Sequence, residues 1–272
     1  MTPYAVAQPQ AILAFDKLAE GYDDLFTRSM IGRAQRSAVW AVLAQTFHRG
    51  DTIVELNCGT GEDALFLARN AVSVIACDAS ERMIETARRR LKNEAPEASI
   101  HLRLLPTERL RELQSATLLD GAFSNFSGLN CVSDLKQTAQ DLATLVKPGA
   151  PLLVCLSTRF CLSEILWFLF HGQPRKAFRR CSGSTTVKVG EFTVEVYYPT
   201  VRKLQRDFTP AFIMRSCMGV GVAVPPSYVE ASIRKYPKVL GLLQTIDKFI
   251  SALPGFRVIG DHVLIRFDRV QA

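Results

Sequence analysis

The stretch that most constrains the fold of this 272-residue chain is 51–83, DTIVELNCGTGEDALFLARNAVSVIACDASERM. An apolar strand-like run leads into a turn at 57–61, a helical pattern begins at Glu62, and a second apolar run ends at Asp78. This order of strand, glycine-rich turn, helix, strand and acidic residue is typical of a site for a nucleoside-containing cofactor. The glycines let the backbone approach a ligand, the helix start presents unpaired N–H groups, and the Asp78 carboxylate can accept both ribose hydroxyls.

Two kinds of cofactor fit this unit. Residues 59–64, GTGEDA, match the dinucleotide fingerprint G-x-G-x-x-G/A. However, Glu55 lies in the first strand two residues before the turn, where a pyrophosphate would be repelled and a cationic amino or sulfonium group attracted. The stretch VELNCGTG resembles the first motif of the class I S-adenosylmethionine (SAM) dependent methyltransferases, and the resemblance continues through Asp78 and Met83. A βα unit without a ligand is the remaining interpretation.

The segment before the first strand carries a second part of this resemblance. Residues 10–47 predict two helices, with the pattern F-D-x-x-A-x-x-Y-D at Phe15, Asp16, Ala19, Tyr22 and Asp23. This pattern is similar to the N-terminal lid of the ubiquinone/menaquinone-type C-methyltransferases and their small-molecule relatives. The resemblance implies that the region of the tyrosine folds over the cofactor. The alternative is an amphipathic packing helix, because an aromatic residue on a helix usually faces the core.

The resemblance also implies the fold, which is α/β, with a Rossmann-like seven-stranded sheet, helices on both faces and the last strand antiparallel. The length suits one such domain over 1–272, with 1–50 as an N-terminal helical lid. After a fifth strand at 151–157, residues 158–200 would form an α/β insertion on the substrate side. Beyond it we predict a strand at 208–218, helices at 228–236 and 239–252, and a last strand at 256–269.

Several positions are expected to contact the cofactor. Glu55 would lie near the donor's amino group, and the resemblance implies that Met83 packs on the adenine. Asn57 stands where the family has its first glycine and tolerates positive φ, while Pro106 replaces an acidic residue that usually lies beside the adenine. The predicted cofactor-binding residues are Tyr22, Glu55, Asn57, Cys58, Gly59, Gly61, Asp78, Ala79, Met83, Thr107, Glu108, Asn125 and Phe126.

No residue is assigned a catalytic role from the sequence. Methyl transfer from a sulfonium depends largely on holding the acceptor in line and excluding water. Some acceptors need a general base, for which His171, His262, Tyr197 and Tyr198 are candidates, although none lies in a recognisable catalytic motif. Residues 124–130 form the loop after a strand that resembles the family's fourth motif, and Asn125 and Phe126 of this loop would shape the pocket near the methyl group.

Composition restricts the partners and the compartment. The net charge of +7 includes basic runs at 88–92 and 175–180, of which the first fits a helix C-terminus and the second a partner surface. Nucleic acid, anionic lipid and an acidic substrate would all suit the second run. The seven cysteines contain no C-x-x-C pair, which favours buried, reduced thiols in a cytoplasmic protein and argues against a metal site. No signal peptide is expected, since the N-terminus lacks a basic head and an apolar core.

The apolar segment at 160–170, FCLSEILWFLF, is too short to span a membrane. We expect a lid helix over a hydrophobic substrate, with buried packing and an interfacial membrane helix as alternatives. The leading function is SAM-dependent methyl transfer to a small lipophilic metabolite, with nucleic acid not expected as a partner and peripheral membrane contact left open. An RNA methyltransferase, an NAD(P)-dependent oxidoreductase and a non-catalytic SAM-binding protein are the alternatives.

Overall fold

The structure is a computed structural model that describes residues 9–271, so the first eight residues of the predicted lid lie outside it. The strands are β1 (Thr52–Leu56), β2 (Ser73–Asp78), β3 (Ile100–Leu104), β4 (Gly121–Ser124), β5 (Pro151–Ser157), β6 (Ser184–Val189), β7 (Phe192–Tyr197), β8 (Phe212–Val220) and β9 (His262–Arg269). The helices are α1 (Pro9–Leu18), α2 (Met30–Thr46), α3 (Glu62–Arg69), α4 (Glu81–Glu94), α5 (Leu135–Leu145), α6 (Leu162–Phe170), α7 (Pro174–Ala177), α8 (Val201–Phe208), α9 (Glu230–Ile233) and α10 (Pro237–Ile250).

The main sheet has the order β3-β2-β1-β4-β5-β9-β8. Strands β1 to β5 pair in parallel, while β9 is antiparallel to both of its neighbours, β5 and β8. The predicted seven-stranded sheet with an antiparallel last strand is therefore confirmed. Because the chain builds outward from β1 through β2 and β3 and then returns to add β4, the strand order reverses beside β1. Ligands bind at such a switch point, outside the carboxyl ends of the strands.

The central strands β1, β4 and β5 are buried on both faces, as continuous apolar strands require. Val54 of β1 packs in a cluster with Leu142 of α5 and Phe208 of α8. Its neighbour Ile53 points the other way and packs with Leu43 of α2 and residues of α3. This alternation places helices on both faces, as predicted.

The C-terminal boundaries differ from those predicted. The strand predicted at 256–269 begins only at His262, because Phe256–Val258 forms a short 3-10 turn. The strand predicted at 208–218 begins at Phe212, because Phe208 completes α8. The helix predicted at 228–236 is reduced to a single turn, since Pro237 starts the next helix and suits a first-turn position.

Two segments are added to this core. The first, the N-terminal segment 9–47, contains α1, a π-helical turn at Asp23–Thr27 and α2. The second, the insertion 158–200, contains α6, α7 and the β6–β7 hairpin. The two meet where Ala11 and Ala14 of α1 pack against Val194 of β7.

Within residues 9–271, every helix falls short of the length and apolarity that crossing a bilayer requires.

Candidate functional site

A cavity of about 300 Å³ lies at the carboxyl edge of the sheet, beside the switch point. The turn after β1, the residues after β2, the loop after β4 and the N-terminal segment all contribute to its wall. The predicted residues that line it are Tyr22, Asn57, Cys58, Gly59, Asp78, Ala79, Met83, Thr107, Glu108, Asn125 and Phe126. Glu55 and Gly61 do not line it.

The turn after β1 is shaped by three residues with positive φ, Asn57, Gly59 and Gly61. Asn57 has φ 55°, as its expected tolerance allows, and its Oδ1 accepts hydrogen bonds from the hydroxyls of Thr107 and Ser124, each at 3.3 Å. Gly59 has φ 53°, and a Cβ added there would meet no protein atom within 4 Å. Since Gly59 lines the cavity, this free space belongs to the cavity, and a ligand can approach the bare backbone.

Asp78 stands at the end of β2 with both oxygens oriented by the backbone. Its Oδ2 accepts from the N–H of Gly59 at 2.8 Å, and its Oδ1 accepts from the N–H of Ser80 at 2.9 Å. Burial raises the pKa of this carboxyl, and the backbone hydrogen bonds oppose that rise. Each carboxylate oxygen can accept further hydrogen bonds, so the group can still bind a pair of ligand hydroxyls.

The two predicted residues outside the wall have other surroundings. Glu55 shares a face of β1 with Ile53, and burial, followed by repulsion from Asp63, raises its pKa well above the usual value. Its Oε2 has no hydrogen-bond partner within residues 9–271. Gly61 has φ 78°, and a Cβ there would lie 3.0 Å from that of Ala87, so this glycine lets α4 pack against the start of α3.

A buried ion pair beside the cavity was not predicted from the sequence. Arg36 of α2 donates to Asp63 of α3 at 2.5 Å, and the same carboxylate accepts from Trp40 at 2.6 Å and Asn125 at 2.9 Å. The guanidinium also lies 5.0 Å from the centre of the Phe126 ring, at cation–π distance. The partners of Asp63 come from α2 and from the loop after β4, which approach α3 only in the folded chain. No local sequence pattern therefore predicts this cluster.

Both aspartates of the F-D-x-x-A-x-x-Y-D pattern attach the N-terminal segment to the cofactor loops. Asp16 accepts from the hydroxyl of Ser80 at 2.5 Å, directly after Asp78 and Ala79. Asp23 accepts from the hydroxyl of Thr60 at 2.7 Å in the turn after β1. Tyr22 lines the cavity, and burial raises the pKa of its hydroxyl. The segment therefore contributes to the cavity wall, and its role as a lid over the cofactor stays a prediction.

The expectation of a lid helix at 160–170 is wrong for this structure. Among the described residues of the insertion, Val196 of the hairpin lines the cavity and α6 does not. Trp167 of α6 packs instead against the cluster of Ile31 and Val224. The hairpin, docked on α1, occupies the position that we expected for the helix.

The four candidate bases are in different environments. His171 is exposed beside Trp167, and Tyr197 donates its hydroxyl hydrogen to Glu195. Tyr198 is buried beneath the guanidinium of Arg180. His262 is buried at the start of β9, where its Nε2 lies 3.1 Å from the hydroxyl of Ser127, a cavity-lining residue of the 124–130 loop that was not among the predicted cofactor-binding residues.

Comparison with known proteins agrees with this geometry. Residues 53–149 match the family described as "Methyltransferase domain". The chain is 27% identical over 149 residues to the demethylmenaquinone methyltransferase of Clavibacter sepedonicus, covering 54% of this chain and 57% of that protein. It is 30% identical over 139 residues to a 2-phytyl-1,4-naphtoquinone methyltransferase of Trichormus variabilis, covering 50% and 59%. These matches span less than two thirds of the relatives' own length.

The fold recurs in solved structures. The CcbJ methyltransferase from Streptomyces caelestis aligns with a TM-score of 0.60 at 13% identity, covering 95% of this chain and 98% of that one. At this identity the likeness concerns the fold alone. With the matching domain, the quinone methyltransferase relatives and the shared fold together, the predicted resemblance to class I SAM-dependent methyltransferases of the quinone type is confirmed.

Proposed function

We propose that this protein is a SAM-dependent methyltransferase whose acceptor is a small lipophilic molecule. The observation that carries this proposal is one cavity with two kinds of wall. The turn after β1 and Asp78 offer backbone N–H groups and a carboxylate, while Ile12, Phe15 and Val196 offer apolar surface. A donor with a ribose and an apolar acceptor would therefore meet in the same space.

The charges of the wall favour SAM over a dinucleotide. Among residues 9–271, four carboxylates line the cavity, from Glu62, Asp63, Asp78 and Glu108, against the single guanidinium of Arg36, which is already paired. A bound pyrophosphate would be repelled, whereas a sulfonium and an ammonium group would be attracted. SAM would supply an activated methyl group; Asp78 would hold its ribose, and Gly59 would give it backbone contact.

An apolar acceptor agrees with the relatives, whose names specify menaquinone- and naphthoquinone-type molecules. Such an acceptor is dissolved in membranes, and two helices outside the cavity have features that suit a membrane surface. On α10, Val239, Leu242, Ile246 and Phe249 form an exposed apolar stripe, with Phe249 75% exposed. On α6, Phe170 is 87% exposed.

The exposed charges beside the α10 stripe are basic. Between 230 and 260 the chain carries five basic residues and two acidic ones, Glu230 and Asp247. Both acids accept hydrogen bonds from backbone N–H groups, Glu230 from Met30 and Asp247 from Ala223. An apolar stripe flanked by cations suits the interface of an anionic lipid bilayer, so peripheral membrane contact is part of the proposal.

Calorimetry with SAM, S-adenosylhomocysteine (SAH) and NADH tests the donor. We expect SAM and SAH to bind and NADH not to bind. Asp78→Ala should weaken SAH binding at least about tenfold, because charge-assisted hydrogen bonds contribute about 1.5–3 kcal/mol each. Glu97→Ala, an exposed change outside the cavity wall, is the matched control. Preferential binding of NADH would overturn the proposal.

A methylation assay tests the proposed class of acceptor. The purified protein with SAM and detergent-dispersed 2-phytyl-1,4-naphthoquinone, kept reduced, should yield a product with one added methyl group by mass spectrometry. Binding of SAH without methylation of this probe or of demethylmenaquinol would contradict the acceptor class and favour a SAM-binding protein of another activity.

A further inference from the structure

A chain of polar groups leads from the cavity into the protein at Ser127. Phe126 and Ser127 follow β4 with φ values of 40° and 67°, conformations that non-glycine residues adopt only where the surroundings impose them. The Ser127 hydroxyl lies 3.1 Å from Nε2 of His262 and 2.7 Å from the hydroxyl of Ser157. The loop after β4, the end of β5 and the start of β9 therefore converge on one cavity-lining hydroxyl.

Behind His262 stands a fixed carboxylate. Nδ1 of His262 lies 3.5 Å from Oδ2 of Asp261, a charge contact, and makes no hydrogen bond within residues 9–271. Arg180 donates to Oδ1 of Asp261 at 2.8 Å and to its carbonyl at 3.0 Å, and Gln35 donates to Oδ2 at 3.2 Å. Arg180 is paired in turn with Glu164 at 2.6 Å. The groups that hold Asp261 come from the insertion and from α2.

The donors and acceptors available to these groups determine the direction in which a proton can move along the chain. With its proton on Nδ1, facing Asp261, the imidazole can only accept at Nε2, so the Ser127 hydroxyl donates to it. The Ser157 hydroxyl can donate to Ser127 Oγ, which has two lone pairs. One lone pair of Ser127 is left to accept a hydrogen bond from a ligand in the cavity.

We propose that Ser127 and His262 relay a proton from an acceptor that carries a phenolic or enolic hydroxyl; this rests on the methyl transfer proposed above. The acceptor hydroxyl gives its proton to Ser127 Oγ while Ser127 gives its own to Nε2 of His262. In the same reaction the acceptor's oxygen or ring carbon bonds to the methyl carbon, and the electron pair of the broken C–S bond passes to sulfur. Ser127 touches the acceptor, and His262 acts through Ser127.

The electrostatics of the pair suit a base. Burial lowers the pKa of His262, with Arg180 adding to this and Asp261 opposing it, so the ring is neutral and able to accept at pH 7. Burial alone would raise the pKa of Asp261, but the imidazolium of His262 when that ring is protonated, and the guanidinium of Arg180 throughout, hold it lowered, so its carboxylate is charged. A charged carboxylate beside the ring stabilises the imidazolium that the transfer creates.

The competing interpretation is a clamp that only joins β9 to the loop after β4. Ser127→Ala and His262→Gln separate the two, with turnover of reduced 2-phytyl-1,4-naphthoquinone and SAH affinity as measurements. A relay predicts that kcat falls about 10²-fold in both variants while SAH affinity and the melting temperature change little. His171→Gln, an exposed histidine outside the cavity wall, should leave kcat unchanged.

The pH profile gives a readout that a clamp would not change. The wild-type kcat should fall on the acid side, below pH of about 6.5, because only neutral His262 accepts a proton and its pKa is lowered from that value. The His262→Gln variant should lose this limb and retain a low, flat rate. An unaltered acid limb in that variant overturns the relay, as does full activity in Ser127→Ala.

A measurement without turnover keeps the relay testable should the acceptor differ from the probe. We would titrate 1-naphthol by its absorbance with the SAH-bound protein in excess. The relay predicts a lower apparent pKa for bound than for free 1-naphthol, and no such shift in either variant. SAH binding without a naphthol shift refutes the relay alone, whereas absence of SAH binding refutes the proposed function.

Discussion

The N-terminal segment 9–47 and the insertion 158–200 are attached to the core by similar means but contact different surroundings. Each has a buried arginine: Arg36 binds Asp63 in the first, and Arg180 binds Glu164 and Asp261 in the second. The first segment turns Tyr22 and Phe15 into the cavity. The second leaves the apolar side of α6 exposed, with Phe170 87% exposed.

The difference shows that apolar content does not specify which surface a helix will cover. Segment 160–170 is among the most apolar stretches of the chain, yet Leu162, Leu166 and Leu169 are exposed. In the N-terminal segment, Asp16 and Asp23 bind hydroxyls of the cofactor loops. Directional polar contacts of this kind determine the placement of a segment, because a hydrophobic contact is favourable against any apolar partner.

The largest effect is expected when the buried arginine of each segment is removed. Arg180→Met would leave Asp261 buried without a cation, because Glu164 keeps its pair with Arg179, and Arg36→Met would leave Asp63 in the same state. Breaking a buried pair in this way costs about 3–5 kcal/mol, which urea denaturation should detect in both variants. Arg175→Met, an exposed change in the insertion, should stay within about 0.5 kcal/mol.

SAH affinity distinguishes the two variants, because only Arg36 of the pair lines the cavity. We expect Arg36→Met to bind SAH more weakly and Arg180→Met to bind it normally once the folded fraction is taken into account. Equal loss of affinity in both would mean that the insertion also shapes the donor site, and the contrast between the segments would disappear.

The next effect concerns the exposed apolar surface. Phe249→Ala should weaken binding to vesicles of phosphatidylcholine and phosphatidylglycerol about tenfold, since fully burying a phenylalanine contributes about 1.5–3 kcal/mol and the bilayer would bury part of it. Sedimentation with vesicles measures this. Leu104→Ala, an exposed leucine on the edge strand β3, is the control and should change nothing.

Salt and lipid charge sharpen this test. Binding should weaken with added salt and be lost on vesicles of phosphatidylcholine alone, because the flanking charges are basic. If the wild type ignores both vesicles and sediments as a dimer that Phe249→Ala dissociates, the stripe binds a second copy of the chain, and the membrane proposal is wrong.

The sequence predicted the site best where the functional residues and the elements that carry them lie close together in the chain. The turn at 57–61, the helix start at Glu62 and Asp78 lie within one βα unit, so their spacing predicted both the sheet edge and one side of the cavity wall. Ser127 and His262 are 135 positions apart and Arg36 and Asp63 are 27 apart. Such pairs depend on which strands become neighbours, which the spacing of residues along the chain does not encode.

The predicted roles of Glu55 and Gly61 show a second limit. The motif identified the two positions, but the surroundings of both residues are packed protein and not the cavity. The close packing of Ala87 of α4 requires a glycine at position 61. Glu55 lies on the same face of β1 as Ile53 and is buried outside the cavity wall. A residue in a binding motif can therefore shape the site without lining it.

A smaller effect is expected at the attachment of the N-terminal segment. Asp23→Asn keeps the size of the side chain and removes its charge toward Thr60 and Arg90. We expect SAH affinity to fall about threefold, because the segment covers the cavity less of the time, equivalent to about 0.7 kcal/mol. Asp24→Asn, an exposed neighbour bound only to Arg28 in the described hydrogen bonds, is the control for calorimetry.

The smallest effect is expected where the two segments touch. Lys17 of α1 and Glu191 of the hairpin turn form an ion pair at 3.1 Å, but their side chains are 53% and 67% exposed. Exposed pairs contribute about 0–1 kcal/mol, so Lys17→Met should change the free energy of unfolding by less than about 0.5 kcal/mol. Val194→Ala, in the apolar contact with Ala11 and Ala14, should cost more, since it removes buried methyl groups. If the order of these two changes is reversed, charge rather than apolar packing joins the segments, and the hairpin would separate from α1 at high salt.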